Sequence, residues 1–132
     1  MKKKYLIMLL IFIFLSSLFC LPWLAVGKTI EFDCKYPKYS DKESANKTQD
    51  FNLTFLIDTI TKKAYMKGNN GIADLMLIKM DSEGYSLIEI TATGNVMTTA
   101  IDTNLDSVHS RNSIIIGKLT PTQNYGTCKI KK

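Results

Sequence analysis

From residue 29 to residue 130 the sequence is built of short runs of β-forming residues, each ended by a turn signal. The most regular run, residues 51–58, alternates apolar and polar side chains, which lie on opposite faces of a strand. In residues 29–36 the same alternation places Ile30, Phe32 and Cys34 on one face. No convincing amphipathic helix interrupts these runs. The pattern therefore predicts an all-β fold.

Turn signals divide the chain after residue 58 into further short strands. Asn70-Gly71 and Gly94-Asn95 are dipeptides that accept the positive φ angles of tight hairpin turns. The polar residues 37–50 are interpreted as a long exposed loop, and Pro121 is expected to break a strand. The remaining predicted strands cover residues 61–67, 73–80, 85–91, 96–103, 107–119 (one bent strand or two short ones) and 125–130.

About eight strands with short connections favour an antiparallel meander. Such a meander tends to close into a small barrel, because closure removes the exposed strand edges. The predicted architecture is a closed barrel, and a two-sheet sandwich is the alternative. Residues 28–132 are interpreted as a single domain, because no repeat or linker divides them.

The first 27 residues have the layout of a secretory signal peptide. Lys2, Lys3 and Lys4 precede an apolar run, and Ala25-Val26-Gly27 supplies the small residues of a cleavage site. The sequence predicts cleavage after Gly27 and export to the periplasm or the medium. The alternative is that the apolar run stays uncleaved as a membrane anchor.

Export determines how the cysteines are interpreted. Cys20 would be lost with the signal, which leaves Cys34 and Cys128 near the two ends of the domain. An oxidising compartment favours a disulfide between them, with two free thiols as the alternative. Two cysteines and one histidine do not complete a four-ligand zinc site, so neither a metal nor another cofactor is predicted.

The charge of the predicted domain is close to balanced. Residues 28–132 hold thirteen lysines, Arg111 and all twelve acids, which leaves +2 of the +5 of the whole chain. Nucleic-acid binding needs a clustered basic face, so nucleic acid is not an expected partner.

The segment 106–113 contains the only histidine and the only arginine of the chain. In an extended segment Ser107, His109, Arg111 and Ser113 lie on one side, where they offer hydrogen-bond donors to an anionic group. These four residues are the candidate binding surface. The alternative is an ordinary solvated outer face of a strand, or Arg111 paired with an acid to hold a turn.

No motif predicts catalysis. Neighbouring strand residues such as Ser107 and His109 do not meet as nucleophile and base, and no serine lies in a G-x-S-x-G turn. A disulfide would consume Cys34 as a thiol partner for His109. Glu89 lies in an apolar strand and is interpreted as outward-facing, the alternative being a buried carboxylate with a raised pKa. The chain is therefore predicted not to be an enzyme.

Particular residues of the C-terminal third resemble a known group of proteins. They are residues 94–102 (GNVMTTAID), 107–111 (SVHSR), 116–119 (IGKL) and the P-x-Q-x-Y-G-x-C pattern of residues 121–128. The segment resembles a group of small secreted bacterial proteins with no assigned activity, and the resemblance implies an exported β domain.

The overall plan combines a signal, an early cysteine, a meander of about eight strands and a late cysteine. This plan resembles the periplasmic inhibitors of animal-type lysozyme. Those inhibitors carry a Ser-Gly dipeptide in the loop that enters the lysozyme cleft. No Ser-Gly occurs in this chain, so the resemblance implies a shared architecture alone.

Together these features predict an exported, non-enzymatic binding or interaction module of the cell envelope, with an unknown protein or small molecule as its partner. One alternative is a lipocalin-like carrier of a small apolar ligand, held inside the barrel by Phe51, Phe55, Ile88 and Ile90 or by the opposite faces of those strands. The other alternative is an inhibitor of a lysozyme-type hydrolase. No membrane span is expected after cleavage of the signal.

Overall fold

The strands of this protein account for nearly all of its ordered secondary structure. The structure is a computed structural model that describes residues 27–131, so the predicted signal lies outside the described residues apart from Gly27. Within them there is no helix. The strands are β1 (Thr29–Asp41), β2 (Lys47–Thr48), β3 (Asn52–Asp58), β4 (Ala64–Gly68), β5 (Gly71–Asp81), β6 (Gly84–Ile90), β7 (Val96–Asp102), β8 (Asp106–Ile115) and β9 (Lys118–Lys131).

The strands form one antiparallel meander that closes on itself. Pairing runs from β1 through β3 and each following strand to β9, and β9 then pairs with β1. The short β2 is an extra strand on the free side of the end of β1. The result is an eight-stranded barrel, which confirms the predicted all-β closed meander rather than the two-sheet sandwich.

Three stretches differ from those expected. Residues 107–119, expected as one bent strand or two short ones, contain the β8–β9 turn at residues 116–117, and β9 continues from Lys118 through the expected last strand. β1 continues through Pro37 to Asp41, because beyond a register shift after Lys35 its last residues pair with β9. The expected long loop is therefore partly strand. Pro121 lies within β9 and faces Asn112 of β8 instead of ending a strand. The pairing of β9 with β1 begins at Thr122, so one side of the proline faces no neighbouring strand, and proline is tolerated at such positions.

The core fills the barrel interior with side chains from alternate strand positions, as a period of two requires. Phe32 and Tyr85 meet edge to face with ring centroids 4.9 Å apart, which links β1 to β6 across the interior. Each fully buried large side chain contributes about 1.5–3 kcal/mol. The buried hydrophobic residues are Phe32, Cys34, Tyr36, Leu53, Phe55, Ile57, Ala64, Leu87, Ile101 and Cys128.

The predicted disulfide between Cys34 and Cys128 is present. The two cysteines are 94 positions apart in sequence but face each other across β1 and β9. Beside them Lys131 Nζ lies 2.8 Å from Glu31 Oε1. The seam at which the barrel closes is therefore fastened by a covalent bond and an ion pair.

The turns lie at two ends of the barrel, and the candidate site belongs to one of them. The mouth end holds the β4–β5 turn (residues 69–70), the β6–β7 turn (residues 91–95), the β8–β9 turn (residues 116–117) and the connection from β1 to β3. The far end holds the β3–β4 turn (residues 59–63), the β5–β6 turn (residues 82–83) and the β7–β8 turn (residues 103–105).

Candidate functional site

The four residues predicted as a binding surface share one side of β8, and that side faces the barrel interior. Ser107, His109 and Ser113 are buried, whereas Arg111 reaches solvent at the mouth end. The prediction that all four residues form an exposed surface is therefore wrong for Ser107, His109 and Ser113. The alternative prediction, a solvated outer face, is wrong for these three residues as well. β8 has polar residues on both faces, with Asn112 outside, so alternation could not show which face is inward.

His109 is an interior residue held by polar and aromatic neighbours. Only 2% of its surface is exposed, and its Nδ1 lies 2.9 Å from Thr99 Oγ1. Its ring lies 6.0 Å from the ring of Tyr36 and 5.9 Å from that of Phe51. Burial, and secondarily the charge of Arg111, lowers the pKa of His109 to about 4, so the imidazole is neutral at neutral pH.

Tyr36, Ser107 and Asn124, which are also buried, have hydrogen-bond partners within the protein. The Tyr36 hydroxyl lies 2.8 Å from Ser107 Oγ, which itself donates to the carbonyl of Ala100 at 2.9 Å. Burial raises the pKa of Tyr36 to about 12, so its hydroxyl stays protonated. Asn124 Nδ2 donates to the carbonyl of His109, and Asn124 Oδ1 accepts from Gln49 Nε2, each at 2.9 Å. These hydrogen bonds join groups of the protein itself, so their role is to stabilise the fold.

A cavity of about 470 Å³ opens at the mouth end, between β3, the β4–β5 hairpin, β6, β7 and β8. Small-molecule sites typically measure about 300–1,000 Å³. Apolar side chains form one part of its lining, and polar side chains form the other part. The apolar side chains include Phe51, Leu53, Met66 and Met97, and the polar ones are Asn69, Asn70, Glu89, Thr91, His109 and Arg111.

Glu89 lines this cavity, which corrects its expected outward position. Leu87 is buried and two positions away, so strand alternation turns Glu89 inward as well. Ile90, whose apolar character suggested a core position, is exposed on the outer wall. Burial raises the pKa of the Glu89 carboxyl, and Arg111 partly opposes that shift. Glu89 Oε2 is buried without a hydrogen-bond partner among residues 27–131.

The cavity matches the carrier hypothesis only in part. Phe51 lines it as expected, whereas Phe55 is fully buried in the packed core below it. On β6 the face opposite Ile88 and Ile90 forms the wall, which is the second of the two faces that the carrier hypothesis allows. The barrel therefore has a cavity at its mouth end and a packed core below that cavity.

Among the described residues, His109 and the two cysteines already have partners. The hydrogen-bond partner of His109, Thr99, is buried and does not line the cavity, and both domain cysteines are in the disulfide. Residues 27–131 contain no group of three or more side chains placed to hold a metal ion. In the same range no helix is long and apolar enough to cross a membrane.

Comparison with protein-family models, with curated proteins and with solved structures identifies no match to this chain. The resemblances drawn from the sequence therefore stay predictions. Function has to be argued from the chemistry of the mouth, because a barrel architecture by itself implies none.

Proposed function

We propose that this chain is an exported, non-enzymatic binding protein that holds a small ligand in the mouth cavity. The observation that carries the proposal is Glu89 Oε2, which is buried in the cavity wall without a donor among the described residues. A buried acceptor without a hydrogen bond costs about 1–3 kcal/mol, and more when it is charged. A ligand with a hydroxyl, amide or ammonium group removes that cost by donating to Glu89.

The rest of the lining defines the rest of the ligand. Phe51, Leu53 and Met66 offer an apolar surface to an apolar body. Arg111, on the exposed side of the cavity, offers N–H groups to an acceptor or an anion. The proposed ligand is therefore amphipathic, with a donor at its inner end and an acceptor at its outer end.

Two further observations support this proposal over an interaction surface at residues 107–113. Ser107 and His109 are buried and already bonded to neighbours, so a protein partner does not reach them. The Cys34–Cys128 disulfide supports export, because disulfides form and persist in oxidising compartments.

Native mass spectrometry of the protein, purified without reduction from the envelope of its own cells, tests the proposal. We expect an added small-molecule mass that disappears on denaturation. Glu89→Gln should lower the occupancy about tenfold, because it replaces one carboxyl oxygen with an NH2 group, which cannot accept a hydrogen bond. Glu43→Gln is the matched control, since Glu43 is exposed and outside the cavity, and it should keep the wild-type occupancy. A wild-type protein without any bound small molecule would contradict the proposal, as would equal occupancy in the two variants.

A further inference from the structure

Most of the large aliphatic side chains that solvent reaches stand at the mouth end. Each of its three hairpin turns carries at least one: Ile72 follows the β4–β5 turn, and Ile90 and Val96 flank the β6–β7 turn. The β8–β9 hairpin carries four, which are Ile114, Ile115, Ile116 and Leu119. Exposed aliphatics gathered at one end of a domain mark an interaction site rather than ordinary surface.

The β8–β9 hairpin projects beyond the barrel wall. The pairing of β8 with β7 ends at Asn112, and the pairing of β9 with β1 begins at Thr122. Residues 113–120 therefore form a two-stranded ribbon, which we call the tip, and its cross-strand pairs satisfy its own backbone. The tip is supported at its base, where Ser113 is buried and Asn95 Oδ1 accepts from the Ile114 N–H at 2.9 Å. At about 3.4 Å per residue the tip extends on the order of 12 Å.

The apex of the tip has a residue that its backbone disfavours. Ile116 and Gly117 have φ angles of 50° and 70°, the pair of positive values found in a type I′ turn. Asn-Gly is the usual sequence there, whereas a β-branched residue at positive φ is strained. Ile116 is also 96% exposed, so packing within the barrel does not compensate. A strained, exposed isoleucine indicates a role outside folding.

The two ends of the barrel also differ in their charged residues. The three mouth-end hairpins, residues 67–72, 90–96 and 111–120, contain Lys67, Arg111 and Lys118, and the nearest acid is Glu89, which lines the cavity. The connection from β1 to β3 is mixed, with lysines and acids in equal number over residues 38–50. At the far end, the turns and the strand ends beside them carry the acids Asp58, Asp81, Glu83, Asp102 and Asp106 together with the cations Lys62 and Lys63.

We propose that the mouth end docks on an anionic membrane surface, with the tip entering the lipid boundary and the cations facing the headgroups. The aliphatic residues stand on separate hairpins around an opening, which suits a soft plane better than the single groove of a protein partner. Lys118, within the tip, and Arg111 and Lys67, on the rim, complement anionic headgroups. In this orientation the cavity opens toward the lipid. The inference does not depend on a ligand being present in the cavity.

Partition onto vesicles tests the inference with a matched pair of variants. Ile114→Thr removes an exposed strand isoleucine at the tip, and Ile78→Thr removes an equally exposed one on the wall of β5. On vesicles of phosphatidylcholine mixed with phosphatidylglycerol, Ile114→Thr and Ile116→Asn should each weaken binding about tenfold. Ile78→Thr should leave binding unchanged. All variants are exported and processed in the same way, so that the predicted signal is absent from each of them when the vesicles are added.

Fluorescence quenching locates the contact. Leu119→Trp and Ile78→Trp each place a single indole on the tip or on the wall of the processed chain, because Trp23 is removed with the signal. Brominated phosphatidylcholine in the mixed vesicles should quench the indole at position 119 and not the one at position 78. Quenching at 119 should fall in vesicles of phosphatidylcholine alone, because the cations then lose their partners. Equal quenching at the two positions, or equal partition of Ile114→Thr and Ile78→Thr, would overturn the inference.

Discussion

At the residue scale, His109 makes the stability of the barrel depend on pH. Its folded pKa of about 4 lies below the ordinary value of 6.5, because burial disfavours the charged ring. Between these values the unfolded chain binds more protons than the folded one. The contribution of His109 to the free energy of unfolding is therefore fully present above about pH 6.5 and falls toward pH 4, by on the order of 3 kcal/mol.

Urea denaturation of the wild type and His109→Gln between about pH 4 and pH 7 measures this effect. The wild type should lose stability across the range, and the variant should lack that part of the slope. Glu89 acts in the opposite direction because its pKa is raised, but it is present in both proteins and cancels in the difference. Parallel pH profiles for the two proteins would contradict the assignment.

Tyr36 gives a second prediction at this scale. Tyr36→Phe keeps the aromatic packing and removes only the hydroxyl that bonds Ser107. We expect a loss of about 1 kcal/mol in thermal or chemical denaturation, because Ser107 keeps its bond to the carbonyl of Ala100. Tyr39→Phe, on a partly exposed ring, is the control and should change little.

The sequence alone was sufficient to identify the unusual residues of the site, but not to show whether they face the barrel interior or the solvent. His109 and Arg111 were identified because they are unique in the chain. Their face was ambiguous because β8 is polar on both sides. The inward position of Glu89 was not predicted, because the residues beside it in β6 are apolar and suggested that they, and not Glu89, face the interior. Its neighbour Ile90 has the hydrophobicity of a core residue and is in fact exposed at the mouth end, where we infer a contact outside the chain.

At the element scale, the strands were predictable where alternation and a turn signal agree. β3 and the hairpins around Asn70-Gly71 and Gly94-Asn95 follow local rules and were found within a few residues. The end of β1 was missed, because residues 37–41 are polar and their strand conformation depends on pairing with β9, which is remote in sequence. The prediction that Pro121 ends a strand was wrong for the same reason. A proline fits within β9 at this position because the pairing with β1 extends only to Thr122.

The tip yields the prediction that belongs to this scale. Ile116→Asn should raise the free energy of unfolding by about 1 kcal/mol, because asparagine adopts the positive φ of this position at less cost. Ile114→Thr, at an ordinary strand position of the same hairpin, should not stabilise. Denaturant titration of both variants checks the difference. A destabilised Ile116→Asn protein would show that the isoleucine serves the fold.

At the scale of the whole molecule, the disulfide is the strongest single constraint on the unfolded chain. Cys34→Ala combined with Cys128→Ala should lower the free energy of unfolding by about 4–5 kcal/mol, since the closed loop spans 94 positions. Chemical denaturation of the double variant beside the oxidised wild type measures the loss. A loss below about 1 kcal/mol would mean that the pairing of β1 with β9 already restricts the unfolded chain.

The seam between β1 and β9 also means that the barrel has no intrinsic first strand. The two ends of the domain are adjacent, so a circular permutant with its ends joined and new termini between Asn69 and Asn70 keeps every strand pairing. In that permutant the chain from Cys128 to Cys34 consists of residues 129–132, a short linker and residues 28–33. The disulfide then closes a loop of about 15 residues and contributes about 1.5 kcal/mol less. The order of the strands along the chain, and not the shape of the barrel, therefore determines how much the disulfide contributes to the free energy of unfolding.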